Sequence, residues 1–225
     1  MYAPPMIRLS GVRKAYHLRR SKFAQPEELV AVNDLSLDVG EGETLGLFGE
    51  SRCGKSTAVS IMLGLLRPDV GDVEIPGQKI GAMPMGDRVK LVQPVFQNPN
   101  ASLNPVKRIH SLVAQPLRLH GGENIANEVK HMLDLVGLPS RLADAYPAEL
   151  SDGQRQRAVI ARALILNSRV LICDEPTLAL DVSVQAQVIN LLLTLEKELG
   201  LTMVFVSHDL GELSNIWPIV SPLCI

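Results

Sequence analysis

Residues 46–66, GLFGESRCGKSTAVSIMLGLL, decide the fold. A short apolar run stops at Gly49, a polar loop holding Arg52 and Cys53 follows, and from Lys55 onward the apolar residues recur at helical spacing. An all-apolar strand suits a sheet covered on both faces and hence parallel pairing. A chain passing from such a strand through a glycine-bearing loop into a helix points successive backbone N–H groups at one spot, where they hold an anion. Gly49 to Thr57 fit G-x-x-x-x-G-K-[ST] in the strand-to-helix context that the motif requires. Gly49, Glu50, Ser51, Arg52, Cys53 and Gly54 make the loop, Lys55 brings a point charge to the terminal phosphates, and Thr57 closes the motif. The Ser56 hydroxyl is a ligand for Mg²⁺. The stretch reads as a nucleoside triphosphate site.

The bulk composition narrows the setting. The 225 residues are enough for one large domain with an inserted lobe, and 46% hydrophobic with 20% charged residues is the balance of a water-soluble globular chain. A net charge of −2 supplies no global field for nucleic acid or anionic lipid, so phosphate chemistry must come from local groups. The three cysteines, Cys53, Cys173 and Cys224, are widely spaced and form neither a disulfide framework nor a zinc pattern, as expected of a reduced, cytosolic chain. The N-terminus lacks a signal-peptide pattern, and no uncharged apolar run reaches the roughly 18 residues of a membrane span.

Further along, MIRLSGV, VNDLSLDV, TLGLFG, KLVQPVF, RVLICDE and TMVFVSHD read as strands. Three of them, around 45–48, 170–173 and 203–206, are nearly all apolar and end in polar clusters, where open α/β sheets place their ligands. Helical periodicity covers 55–66, 153–166 and 184–199, the last with Asp181 and Ser183 as candidate N-caps and Gly200 as its stop. Between 98 and 150, prolines at 99, 105, 116, 139 and 147 separate helical pieces and predict an inserted helical lobe. The expected fold class is therefore α/β: a P-loop NTPase with a mostly parallel central sheet and an N-terminal antiparallel β region. Its core spans 1–97 and 151–225, and the helical subdomain spans 98–150.

A second chemical element is RVLICDEPT. The strand carries Asp174 to the sheet edge, where its carboxylate can hold Mg²⁺ through water, and Glu175 beside it can polarise an attacking water. Downstream of a phosphate loop the acids are needed, because the ion must be held by anionic ligands.

The segment AELSDGQRQRAVIARAL, 148–164, resembles the signature sequence of ATP-binding cassette (ABC) ATPases, and the other family elements fall in order around it. Gln97 in VFQNP is similar to the Q-loop glutamine, Asp181 in LALDVS to the D-loop aspartate, and His208 in VFVSHD to the switch histidine. Tyr16 in VRKAY stands where an aromatic stacks on adenine. The resemblance covers about residues 6–211. VFQNPNASLNP and DEPTLALDVSVQAQVINLL further resemble the ATPases of dipeptide, oligopeptide and nickel importers.

This resemblance implies ATP and Mg²⁺ as cofactors, with Ser56, Gln97 and Asp174 toward the metal and Glu175, His208 and Gln97 in catalysis. It also implies a head-to-tail pair of ATPase subunits, in which Ser151, Gly153 and Gln154 of one chain meet the γ-phosphate held by the other, alongside Asp181. Two membrane permeases and an external binding protein complete such systems, with no nucleic acid, and the ATPase sits peripherally on the cytoplasmic face of the bacterial inner membrane. Two further readings stand beside it: a nucleotide-binding subunit that hydrolyses weakly or not at all, and a soluble ABC ATPase unconnected with transport.

Four departures from the family pattern qualify the expectation. Arg52 stands where glycine is usual, Asp152 replaces the first glycine of L-S-G-G-Q, and Leu178 replaces a serine before the D-loop. Asp152 repels a γ-phosphate if it points inward and favours the helix N-terminus if it points outward. The tail after SHDLGEL, SNIWPIVSPLCI, is read as offering no helix or strand that would close a sheet, because Pro218 and Pro222 oppose a normal helix or a central strand. The expectation is a truncated or frame-altered product with surviving motifs, an incomplete core and exposed apolar surface.

Overall fold

The structure is a computed structural model that describes residues 4–18, 27–50, 53–178, 180–208 and 219–222. The chain divides into two compact units, Met1–Arg88 with Thr202–Ile225, and Val89–Leu201.

In the first unit, β1 (Ile7–Leu18), β2 (Glu27–Val39), β4 (Val70–Ile75) and β5 (Gln78–Lys79) form an antiparallel sheet in the order β2-β1-β4-β5. Alternation sets the faces: Ile7 and Leu9 are buried while Arg8 and Ser10, which alternate with them, are exposed. On the exposed face Arg8 binds Asp38 opposite it with two N–H···O bonds of 2.9 and 3.0 Å. That bond, followed by the charge of Arg8, holds the Asp38 carboxyl below its ordinary range.

The same unit contains parallel strands. β3 (Thr44–Phe48) pairs with β8 (Thr202–Ser207) on one side and with β9 (Ile219–Pro222) on the other. All six residues of β8 are buried, as its unbroken apolar run requires. A turn bond from Met203 N–H to Glu43 O at 2.9 Å fixes the start of β8 against β3. α1 (Lys55–Met62) follows the loop after β3 and stops at Leu63 and Gly64, the latter left-handed at φ 65°. The helix is therefore shorter than the apolar periodicity implies.

β9 corrects the reading of the tail. Ile219 to Pro222 pair in register with Leu45 to Phe48, so the tail does contribute a strand. A proline is tolerated because β9 is an outer strand among the described residues and Pro222 is its last position. Residues 209–218, including Pro218, and 223–225 lie outside the described residues.

In the second unit β6 (Val92–Phe96) runs parallel to β7 (Val170–Asp174). α2 (Met85–Leu91) precedes β6. The helical part comprises α3 (Pro99–Ser102), α4 (Ile109–Leu119) and α5 (Ile125–Leu135), and α6 (Asp152–Leu164) and α7 (Val182–Leu199) flank β7 in sequence. Ile109, Leu112 and Val113 of α4 and Val129, Met132 and Leu133 of α5 are the buried stripes at three- and four-residue spacing. Small side chains let α6 pack closely: Ala158, Ala161 and Ala163 are buried along with Val159, Ile160 and Leu164.

Two arginines of α6 tie the helical pieces together. Arg157 donates to Val136 O at 2.6 Å, and Arg162 donates to Ser102 O at the end of α3. Arg162 is largely buried, and desolvation lowers its guanidinium pKa. α7 ends at Gly200, left-handed at φ 60°, where the sequence places the stop. Asp181 occupies its N-cap position, but its side chain makes no capping bond.

Candidate functional site

The first unit brings together the phosphate loop, Tyr16 and His208. β3 delivers Gly49 at its C-terminal end, and the chain re-enters a helix through Gly54, whose φ of 85° is a left-handed conformation that a side chain at that position would strain. Lys55, the first residue of α1, is only 7% exposed. Its Nζ donates to Gly49 O at 2.6 Å and Glu50 O at 2.9 Å, so the loop is curled around its own lysine. Cys53 N–H donates to Glu50 O at 3.2 Å and tightens the curl, while Ser56 stands exposed on the first turn of α1. Ser51 and Arg52 lie outside the described residues.

Tyr16 reaches the same helix: its Oη lies 3.5 Å from Thr57 Oγ1. The strand carrying it is anchored by Asp69, which accepts from Lys14 Nζ at 2.7 Å and from Ala15 N–H at 2.8 Å. The Lys14 bond first, then the Ala15 bond, holds the Asp69 carboxyl below its ordinary range. Because Phe48 is level with Ser207 in the parallel pair, His208 leaves β8 at the edge where Gly49 leaves β3.

The second unit gathers the acids. Phe96 is level with Asp174 in the β6–β7 pair, so Gln97 and Glu175 leave the two strands side by side. Glu175 is left-handed at φ 47°, an uncommon backbone for a residue with a side chain, costing of order 1–3 kcal/mol. Leu178 N–H donates to Glu175 O at 3.3 Å, and Gln185 of α7 donates to Thr177 O at 3.2 Å, which holds the turn that carries this backbone. Leu178 itself is exposed. Beneath the acids, burial first and then the Asp174 charge push the Cys173 thiol far above its ordinary range, so it is a neutral core side chain.

The signature residues sit at the start of α6. Ser151 is the N-cap: its Oγ accepts from Gln154 N–H at 3.3 Å while Gln154 Oε1 accepts from Ser151 N–H at 3.0 Å. This reciprocal capping box satisfies two of the helix-start donors, the N–H groups of Ser151 and Gln154. Gly153 is required by a close approach, since a Cβ there would lie 2.7 Å from Val184 Cγ1 of α7.

Asp152 points along its own helix and pairs with Arg155 three residues on. Arg155 also donates to Leu150 O at 2.7 Å and Pro147 O at 3.1 Å. Asp152 is thus paired at its own helix start, as a helix N-terminal acid. No motif in the sequence marks Arg155, although its (i, i+3) spacing from Asp152 is a visible ion-pair signal. Asn98, also unread, caps α3 by accepting from Asn100 N–H at 2.9 Å directly after Gln97.

These residues suit a magnesium-bound triphosphate. Within the first unit, a curled loop with a buried ammonium and an exposed hydroxyl at the helix start is of the kind that holds a triphosphate; within the second, carboxylates at a strand end are of the kind that hold magnesium.

Residues 32–178 match the family described as ABC transporter. The chain is 45% identical over 201 residues to the oligopeptide transport ATP-binding protein OppF of Haemophilus influenzae, covering 86% of this chain and 60% of that protein. It is 40% identical over 218 residues to the dipeptide transport ATP-binding protein DppF of the same organism, covering 94% of this chain and 67% of that one. The chain thus spans about two thirds of the length of these relatives. Among solved structures, the ATP-binding cassette MJ0796, dimeric in a post-hydrolysis state with ADP and Pi, superposes with a TM-score of 0.78 at 32% identity, covering 92% of this chain and 89% of that one. The cbiO1 cassette of Clostridium perfringens shares the fold at a TM-score of 0.83 and 24% identity, covering 97% of this chain and 84% of that one. The chain belongs to the ABC transporter family.

Proposed function

We propose that this chain is the ATP-binding and ATP-hydrolysing subunit of an ABC importer whose cargo is peptides. The observation that carries the reading is the loop after β3, curled on the buried Lys55 ammonium, beside a parallel strand that His208 directly follows. Lys55 and the loop N–H groups bind the terminal phosphates, and Tyr16 stacks on the adenine. Ser56, Gln97 and Asp174 would hold Mg²⁺, whose charge, when bound, offsets that of the β- and γ-phosphates. Glu175 accepts a proton from the attacking water as its oxygen bonds to the γ-phosphorus. The bond to the bridging β–γ oxygen breaks, giving ADP and phosphate, and His208 orients the γ-phosphate.

A second ATPase subunit completes the reading. Ser151, Gly153 and Gln154 of each chain would address the γ-phosphate on the other, with Asp181 beside them, and the Asp152–Arg155 pair removes a charge that would oppose this. Two permease subunits on the membrane and an external binding protein would complete the importer, placing this chain peripherally at the cytoplasmic face. No helix among the described residues is long and apolar enough to cross a membrane. Peptide is favoured over nickel because the similar proteins bear names of oligopeptide and dipeptide transport.

The test is Mg²⁺-dependent ATP turnover against protein concentration, with Glu175→Gln as the control. Turnover should rise more than linearly and vanish in the variant. Turnover that stays linear and survives Glu175→Gln removes the dimeric mechanism. Uptake of labelled tripeptide and of labelled nickel, in cells lacking this chain, decides the cargo.

A further inference from the structure

Within the second unit, α4, α5 and the turn Ser140–Leu142 border a cleft of about 560 Å³, a size that holds a small organic molecule. Its floor is apolar: Ala114, Val129 and Leu133 line it and are themselves buried. Two cations stand on its walls, Arg118 in the last turn of α4 and Lys130 on α5. Neither makes a hydrogen bond or ion pair among the described residues.

The carboxylate that borders the cleft, Asp144, is already engaged. Its Oδ1 lies 3.2 Å from His110 Nδ1 and 3.9 Å from a guanidinium nitrogen of Arg108, a residue that does not line the cleft. His110 is committed as well, with Nδ1 3.1 Å from Ala143 O and Nε2 3.0 Å from Ser111 Oγ. The cleft therefore combines an apolar floor with two uncompensated positive charges.

We infer that this cleft binds a small amphiphilic carboxylate, with its apolar body on Ala114, Val129 and Leu133 and its carboxylate between Arg118 and Lys130. Each feature excludes a competing class. A strongly hydrated anion such as free phosphate gains nothing from the apolar floor and loses its water there. A neutral apolar molecule covers two cations without pairing them. The inference does not rest on the nucleotide reading, because none of its residues serves that site.

Two sources share this chemistry, a medium-chain fatty acid and a short apolar peptide with a free C-terminus. Calorimetric titration of the full chain uses octanoate, leucyl-leucine and, as the uncharged control, 1-octanol. At least one carboxylate should bind, with 1-octanol about tenfold weaker, a difference of ~1.4 kcal/mol. The double substitution Arg118→Gln with Lys130→Gln should weaken the carboxylate by at least that factor. Ala126→Phe, at an exposed position on the cleft wall, should block it. An unchanged melting temperature in these surface variants separates lost binding from lost folding. Binding of octanoate alone identifies a lipid-derived acid, and binding of leucyl-leucine alone identifies peptide. No heat from either carboxylate up to its solubility, or binding untouched by both sets of substitutions, overturns the inference.

Discussion

Lys55 and Glu175 express two different costs of placing chemistry on a backbone. The Lys55 ammonium is buried and satisfied by the carbonyls of Gly49 and Glu50, so it shapes the loop even without a nucleotide. Lys55→Ala therefore removes both the loop's internal brace and the charge proposed to meet the phosphates. Nucleotide affinity should fall by at least tenfold, about 1.4 kcal/mol, in a fluorescent-nucleotide titration; unchanged affinity would contradict the assignment. Glu175 instead carries backbone strain at φ 47°. Glycine relieves that strain and also removes the carboxylate. Glu175→Gly should thus abolish turnover while destabilising the chain less than Glu175→Ala does, by about 1 kcal/mol in denaturant midpoints.

At the scale of the element, the start of α6 stabilises the helix through the Ser151 hydroxyl, to which the proposed function adds recognition. Ser151 Oγ uses a lone pair to accept from Gln154 N–H, which leaves its proton free to donate outward. The two uses separate under substitution. Ser151→Ala should lose about 1 kcal/mol of stability together with ATP-driven dimerisation. Ser151→Asp keeps an N-cap acceptor and should hold its melting temperature, yet it places a carboxylate where a donor is needed and should still fail to dimerise. Light scattering with ATP, read beside thermal melts, distinguishes them; a dimer formed by Ser151→Asp would remove the hydroxyl from recognition.

The elements also differ in how plainly they were written. β3, β7 and β8 were legible because strands buried on both faces must be continuously apolar. β4 went unread: of VGDVEI only Val73 and Ile75 are buried, and its partner β5 is two residues long. β9 was misread because prolines argue against a central strand, whereas an outer strand ending in proline loses little. In the site, the phosphate loop is written in the spacing of Gly49, Gly54, Lys55 and Ser56, whereas Gln97, Asp181 and His208 are marked only by the family resemblance. The direction of Asp152 was not legible, since it depends on whether Arg155 is free to meet it.

Across the whole molecule, acid tests the antiparallel region. Asp38 and Asp69 both sit below 3.8 in the folded chain, held there chiefly by Arg8 and by Lys14. The unfolded chain consequently takes up protons first as pH falls. The stabilisation is complete above the unfolded value of 3.8 and is lost as pH drops through the lower folded values. Because both pairs are exposed and screened, urea midpoints should fall modestly on the acid side of about pH 4, and Asp38→Asn with Asp69→Asn should flatten that part of the profile. An identical profile in the double variant would place the acid sensitivity in other carboxylates. Because Asp69 anchors the strand that carries Tyr16, adenine affinity should decline over the same interval.

The left-handed backbone at Glu175 has a consequence on the timescale of lineages. Glycine is the residue this conformation favours, so mutation alone, filtered only for folding, would drift the position toward it. A gene that no longer needed its product to turn over would find that exchange inexpensive. Selection for the proposed chemistry is what would hold a carboxylate on so unfavourable a backbone, at the level of a single codon.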